Sequence, residues 1–191
     1  ELWMVILLTT IGTGGFFAWY SYIAPLITKV AGHPEGIVSY VMILAGLGMV
    51  IGNLIGAKLA EKFSPIYAVI MSMILMVIAL ITNAYVAENQ IAILVMTFLI
   101  ATIAFCLSTP IQMVMINSAK GSESLGSSMN QSAFNMGNAS GAYFAGLPIA
   151  FGYSFTSASL VGAIMAGLGV FIATAIILLR KRRESAIATA S

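Results

Sequence analysis

The chain has 191 residues, of which 60% are hydrophobic and 7% are charged; a soluble domain carries about a quarter charged residues. Its net charge of +2 is too small to suggest a nucleic-acid partner. It has no Asp, and a single cysteine, Cys106, excludes an internal disulfide.

With a mean hydropathy of +1.03, the chain reads as a membrane protein. A spanning helix needs roughly 20 mostly apolar residues. Six stretches qualify, at about residues 2–28, 36–57, 65–84, 91–117, 126–151 and 157–179. The first has no basic start and no cleavage site, so it reads as a span and not as a signal peptide. It holds Thr9, Thr13 and Tyr20 near one face, with Phe16 and Phe17 between them. Trp19, Tyr20 and Tyr22 fit an interfacial belt, and Tyr20 fits a cavity wall equally well. Pro25 bends the end of this span.

In the second span Gly48, Gly52 and Gly56 recur every fourth residue. They share one helix face, and a face so small lets another backbone come close. Lys58, Glu61 and Lys62 end the run. Ser64 suits the cap of the next helix and Pro65 its first turn. The third span has little polarity beyond Ser72, Thr82 and Asn83, and the sixth little beyond Ser157, Ser159 and Thr174. Both are expected to face lipid. The fourth holds Thr102, Thr109, Pro110 and Gln112, and ends at Asn117.

The fifth span is the most polar, with Asn130, Gln131, Ser132, Asn135, Asn138 and Ser140. Gln131, Asn135 and Asn138 fall at i, i+4 and i+7, one stripe. Uncompensated polar groups in hydrocarbon are costly, so the stripe must face protein or water. Asn and Gln in such helices also serve only to bond a neighbouring helix. A cavity among the first, fourth and fifth spans is expected to be lined by Thr9, Thr13, Tyr20, Thr109, Gln112, Gln131, Asn135 and Asn138.

If loops alternate sides, Lys58, Lys62, Lys120 and the RKRR run at 180–183 share one side, with seven of the eight basic residues. The positive-inside rule makes that side, and both chain ends, cytoplasmic. The halves also repeat at an offset of about 85 to 89 residues. Pro25 is answered by Pro110, and the Gly48–Gly52–Gly56 row by Gly137 and Gly141, with Ala145-Gly146 following. Three plus three helices place the repeats in opposite orientations, as in many secondary transporters. The expected architecture is therefore an all-α polytopic membrane protein. Two inverted three-helix repeats make a bundle over residues 1–179, and residues 180–191 form a basic cytoplasmic tail.

The stretch Gly56-Ala-Lys-Leu-Ala-Glu-Lys-Phe resembles the loop motif of the major facilitator superfamily, with Lys58, Glu61 and Lys62 at its basic, acidic and basic positions. Glu61 stands for the usual Asp, and Ser64, Pro65 and Ile66 replace the later Gly and Arg pair. The runs LGSSMNQSAFNMGNASGAYFAGLPIAFGY and FFAWYSYIAPLI are similar to the eleventh and seventh helices of the arabinose-efflux-permease-like, drug:proton antiporter branch. That resemblance implies the C-terminal six-helix half of a twelve-helix transporter in a bacterial inner membrane, paired with an N-terminal half. It implies that Gly48, Gly52, Gly137 and Gly141 lie at or near the half–half interface. It also implies that Lys58, Glu61 and Lys62 latch the inward-closed state. The substrate would be a small neutral or amphiphilic molecule, exported by alternating access.

Proton antiport needs a titratable group within the membrane. Every carboxylate here lies at a break or an end, so the coupling group is expected on the other half. An intramembrane enzyme is disfavoured. Asn138-Ala-Ser140-Gly141 faintly resembles a rhomboid protease motif, but the only His, His33, lies at a break, away from any serine it would activate. No catalytic residue, metal site or cofactor is expected. The rival reading is a self-standing six-helix protein, a channel, a scaffold or a homodimeric transporter joined through its glycine face.

Overall fold

A computed structural model describes residues 2–119 and 121–188. Lys120, used above for sidedness, and tail residues 189–191 lie outside the described residues. Six long helices follow in order, which we number α1 (Leu2–Tyr20), α2 (Val38–Lys62), α3 (Pro65–Val86), α4 (Gln90–Ser118), α5 (Glu123–Ala150) and α6 (Ser157–Ala188). No strand occurs among the described residues. Five of the six are long and apolar enough to cross a membrane. The exception is α5, whose 28 residues give sufficient length but whose amides lower its hydropathy. It nevertheless runs parallel to α1: Gly137 meets Thr10 and Thr13, Gly141 meets Gly14 and Ala18, and Gly146 meets Tyr22.

Local chemistry sets the ends. Pro25 has no N–H and crowds the carbonyl four residues back, and α1 breaks at residues 21–22. The chain continues through a short turn, Ile23–Pro25, into a π turn, Leu26–Val30. Pro65 takes the first position of α3. The Ser64 hydroxyl, expected to cap that helix, makes no cap bond; its backbone carbonyl accepts from Tyr67 and Ala68 instead. The Asn89 side chain caps α4, accepting from the amides of Ile91 and Ala92 at 3.0 Å each. Gly152, at φ 91°, supplies the left-handed residue that ends α5. Helix α6 was expected to stop near residue 179. It continues to Ala188, because the residues that follow include no Gly or Pro.

Two parallel helix pairs hold the repeats together. On α2, Cβ atoms at Gly48, Gly52 and Gly56 would strike the carbonyl oxygens of Phe98, Thr102 and Cys106 on α4. On α5, Cβ atoms at Gly137 and Gly141 would strike those of Thr10 and Gly14 on α1. The second helix of each triplet thus lies on the first helix of the other, which is the pseudo-two-fold relation that the repeat predicts. Pro110 deprives the Cys106 carbonyl of its usual i+4 donor, and Gly56 covers that carbonyl. These glycines are therefore packed inside the chain. They do not form an exposed seam toward a second half, because the neighbouring helix backbone already occupies the space.

Antiparallel contacts close the bundle. Gly12 and Gly15 of α1 meet Gly169 and Gly162 of α6. Asn83 of α3 donates to Ser159 Oγ of α6 at 3.0 Å, both side chains being fully buried. Ser72 is also buried, against Cys106. Ser72, Asn83 and Ser159 of the third and sixth spans thus point inward, whereas Thr82 and Thr174 are exposed and donate to the carbonyls of Ile78 and Val170 on their own helices. Their outer faces carry Ile74, Leu75 and Ile78 on α3, and Ile164, Leu168 and Phe171 on α6, all exposed.

Gly52→Ala and Gly141→Ala should each destabilise the protein by about 1–3 kcal/mol, since a methyl has no room without parting two backbones. Gly46→Ala, where nothing lies within 4 Å, should not. Thermal unfolding in detergent checks all three. Ser159→Ala should cost about 0.5–1.5 kcal/mol by leaving the Asn83 amide without its acceptor.

Candidate functional site: an amide and aromatic seam

The glycine face of α5 decides where its polar face goes. With Ala133, Gly137, Gly141 and Ala145 buried, the stripe of Gln131, Asn135 and Asn138 is turned outward, and all three are exposed. Gln112 on α4 is exposed and Thr109 half-buried. These five side chains lie on the open surface of α4 and α5.

The remaining expected cavity residues behave differently. Thr9 and Thr13 are buried. Each hydroxyl donates to the carbonyl four residues back, Thr9 to Val5 at 2.9 Å and Thr13 to Thr9 at 2.6 Å. Their polarity is satisfied within α1, and Thr13 packs against Gly137, so neither lines an open cavity. Tyr20 is half-buried. Its ring stacks on Phe16 with centroids 5.1 Å apart, and its hydroxyl reaches Met42 Sδ of α2 at 3.5 Å.

An aromatic row crosses the centre of the seam. Phe105 of α4 meets Phe16 edge-on at 6.1 Å, Phe16 meets Phe17 at 5.3 Å, and Phe17 meets Phe134 of α5 edge-on at 5.1 Å. Edge-to-face geometry at these distances is the favourable one for aromatic rings. Phe17, Phe105 and Phe134 keep part of their surface open. Phe105 and Phe134 were absent from the expected cavity set. The signal for Phe134 was its place at i+3 in the stripe from Gln131 to Asn138. Beneath the row lies a void of about 10 Å³ edged by Gly12, Thr13, Phe16, Phe105 and Phe134, at the lower limit for one water.

No charge faces this surface among the described residues. Glu35, Glu61, Glu88 and Glu123 all lie exposed at helix ends or loops. Lys58, Glu61 and Lys62 are exposed at the end of α2, with Lys62 Nζ 5.6 Å from the Phe63 ring. At the opposite end, His33 Nε2 lies 3.0 Å from the Gln90 carbonyl, and Lys29 sits over the Phe155 ring at 5.5 Å. No group of side chains suited to a metal occurs among the described residues. A cleft of about 430 Å³ between α5 and α6, edged by Phe144, Leu147, Ile164 and Leu168, has no polar group to orient a ligand. The seam can therefore offer aromatic faces and neutral donors and acceptors, and nothing ionic.

AraJ of Escherichia coli strain K12 is 32% identical over 163 residues, which cover 85% of this chain and 41% of AraJ. The inner membrane transport protein YdhP of the same strain is 30% identical over 167 residues, covering 87% of this chain and 43% of YdhP. The uncharacterized MFS-type transporter YtbD of Bacillus subtilis is 30% identical over 151 residues, covering 77% of this chain and 38% of YtbD. The homologues of this chain are transporters of the major facilitator type. No protein-family model matches the chain. The chain spans about two fifths of the length of these relatives.

Gln131→Ala, Asn135→Ala and Asn138→Ala should leave stability within about 0.5 kcal/mol of the parent, as exposed substitutions do. Thr13→Ala, at a buried and tightly packed site, should cost about 1 kcal/mol or more. Thermal unfolding of the purified variants in detergent separates the two classes. A loss above about 1 kcal/mol in the stripe variants would make those amides packing residues.

Proposed function

We propose that this chain is the C-terminal six-helix half of a secondary transporter that exports small neutral or amphiphilic molecules. The observation that carries the reading is the amide and aromatic seam, left open on one side of an otherwise apolar bundle. An N-terminal half of the same fold would cover it, so that substrate sits between the halves near the midplane. The halves would then expose that site to each side in turn. The basic end, with Lys58, Lys62 and Arg180, would lie in the cytoplasm. A relative from Haemophilus influenzae, 24% identical over 170 residues, bears the name probable sugar efflux transporter, which supports export as the direction.

In this reading Gln112, Gln131, Asn135 and Asn138 supply hydrogen bonds in both senses, because an amide both donates and accepts. Phe17, Phe105 and Phe134 supply the apolar contact. Lys58, Glu61 and Lys62 would contact the other half at the closed end. If protons drive export, the coupling carboxylate belongs to the other half. The rival homodimer joined through its glycines loses support, since Gly52 and Gly141 are already covered by this chain's own helices.

In an efflux assay on the whole transporter in membrane vesicles, Gln131→Ala and Asn135→Ala should change the ranking of substrates while the protein level stays constant. Unchanged transport of every substrate would contradict the assignment. Replacing the Glu residues of this chain by Gln, one at a time, should leave proton-coupled flux in place. Loss of coupling in any one of them, with uncoupled flux retained, would put the proton site on this half.

A further inference from the structure

Away from the seam, two polar atoms inside the bundle find no partner within it. The indole Nε1 of Trp19 and the amide Oδ1 of Asn83 make no hydrogen bond, and both side chains are fully buried. Buried polar groups are rarely left so, because each has given up its bonds to water and gained nothing in return.

The two residues stand at one level of the bundle. At Gly162, α6 meets the Gly15 carbonyl of α1 and the Leu80 side chain of α3. Helix α6 runs antiparallel to both. About one turn further toward the start of α6, the three helices bring Ser159, Trp19 and Asn83. Asn83 Nδ2 donates to Ser159 Oγ at 3.0 Å, which holds the amide and directs its Oδ1 away from that hydroxyl. Trp19 belongs to the same buried cluster as Ala79 and Leu80 of α3 and Ala163 and Ala166 of α6. We propose that a single buried water occupies this junction, accepting from Trp19 Nε1–H and donating to Asn83 Oδ1.

The senses of the two groups select the ligand. The indole only donates, and the amide oxygen only accepts. A cation would be repelled by the N–H and an anion by the carbonyl oxygen. Helices α1, α3 and α4, and α6 as far as Leu179, carry no charged side chain, so nothing there balances an ion. Water offers both senses in one small neutral molecule, and buried waters characteristically bridge such groups. Bridged in this way, the last turn of α1 is tied to the α3–α6 pair just before α1 breaks at residues 21–22.

NMR of the full chain in detergent micelles, with isotope-labelled tryptophan, tests this. The chain has two tryptophans, and Trp3 is exposed, so Trp3→Phe leaves one indole signal, that of Trp19. In a rotating-frame Overhauser spectrum, a water held against the indole N–H gives a cross-peak at the water frequency with sign opposite to the diagonal. Proton exchange with bulk water gives the same sign as the diagonal. The expected result is the opposite-sign cross-peak in W3F and its loss in W3F/N83L, where the acceptor is gone. No cross-peak in W3F, or one of the same sign as the diagonal, overturns the proposal whether or not the double variant folds. Persistence of the opposite-sign cross-peak in W3F/N83L also overturns it, because the water would then not depend on Asn83.

Discussion

The architecture depends on two seams where one helix backbone rests on another. Lipid tails are as apolar as leucine, so helices in a bilayer gain little from hydrophobic contact and much from close packing. Gly48, Gly52 and Gly56 let α2 settle on the carbonyls of α4, and Gly137 and Gly141 let α5 settle on those of α1. Both seams join helices from different triplets. They bind the two repeats into one six-helix body and fix the rotation of α2 and α5 about their own axes.

That rotation divides the outside of the protein. Once the small face of α5 is turned inward, Gln131, Asn135 and Asn138 have only the exterior left to face. With Ser72, Asn83 and Ser159 spent on contacts inside the bundle, and the exposed Thr82 and Thr174 hydroxyls bonded back to their own helices, the outer faces of α3 and α6 are mainly apolar. The result is two oily outer walls, one neutral polar seam with a row of phenylalanines, and one basic end. The helix too polar to pass as a span by composition is the one that bears the proposed substrate surface. Its low hydropathy and its role have a single origin, the amides that would be costly against acyl chains.

Much of this was legible in the residues, and the gaps have physical reasons. Apolar runs of spanning length marked six helices, and the glycine spacing marked two faces of close approach. Spacing reports how near a neighbour comes but not which neighbour it is, so the glycines read equally well as an external interface. Thr9 and Thr13 looked like cavity residues because composition cannot show a hydroxyl folded back onto its own helix. Asn83 and Ser159 looked incidental in bland spans, since a hydrogen bond between residues so far apart in sequence leaves no local trace. Phe134 lay in plain view within the amide stripe, and its apolarity hid it from a search for polar lining. Asn89 went unremarked as a cap, whereas Ser64, the expected one, leaves its hydroxyl unused in α3.

The central claim is that the amide stripe of α5 meets water and substrate while the outer faces of α3 and α6 meet acyl chains. Cysteine accessibility in native membranes tests it most directly. In a Cys106→Ser background, single cysteines replace Gln131, Asn135, Asn138, Ile74 or Ile164 and are exposed to a charged, water-borne thiol reagent. The account expects rapid labelling at the three stripe positions, slowed by transported substrate, and none at Ile74 or Ile164. Stripe cysteines that label no faster than those two would contradict it.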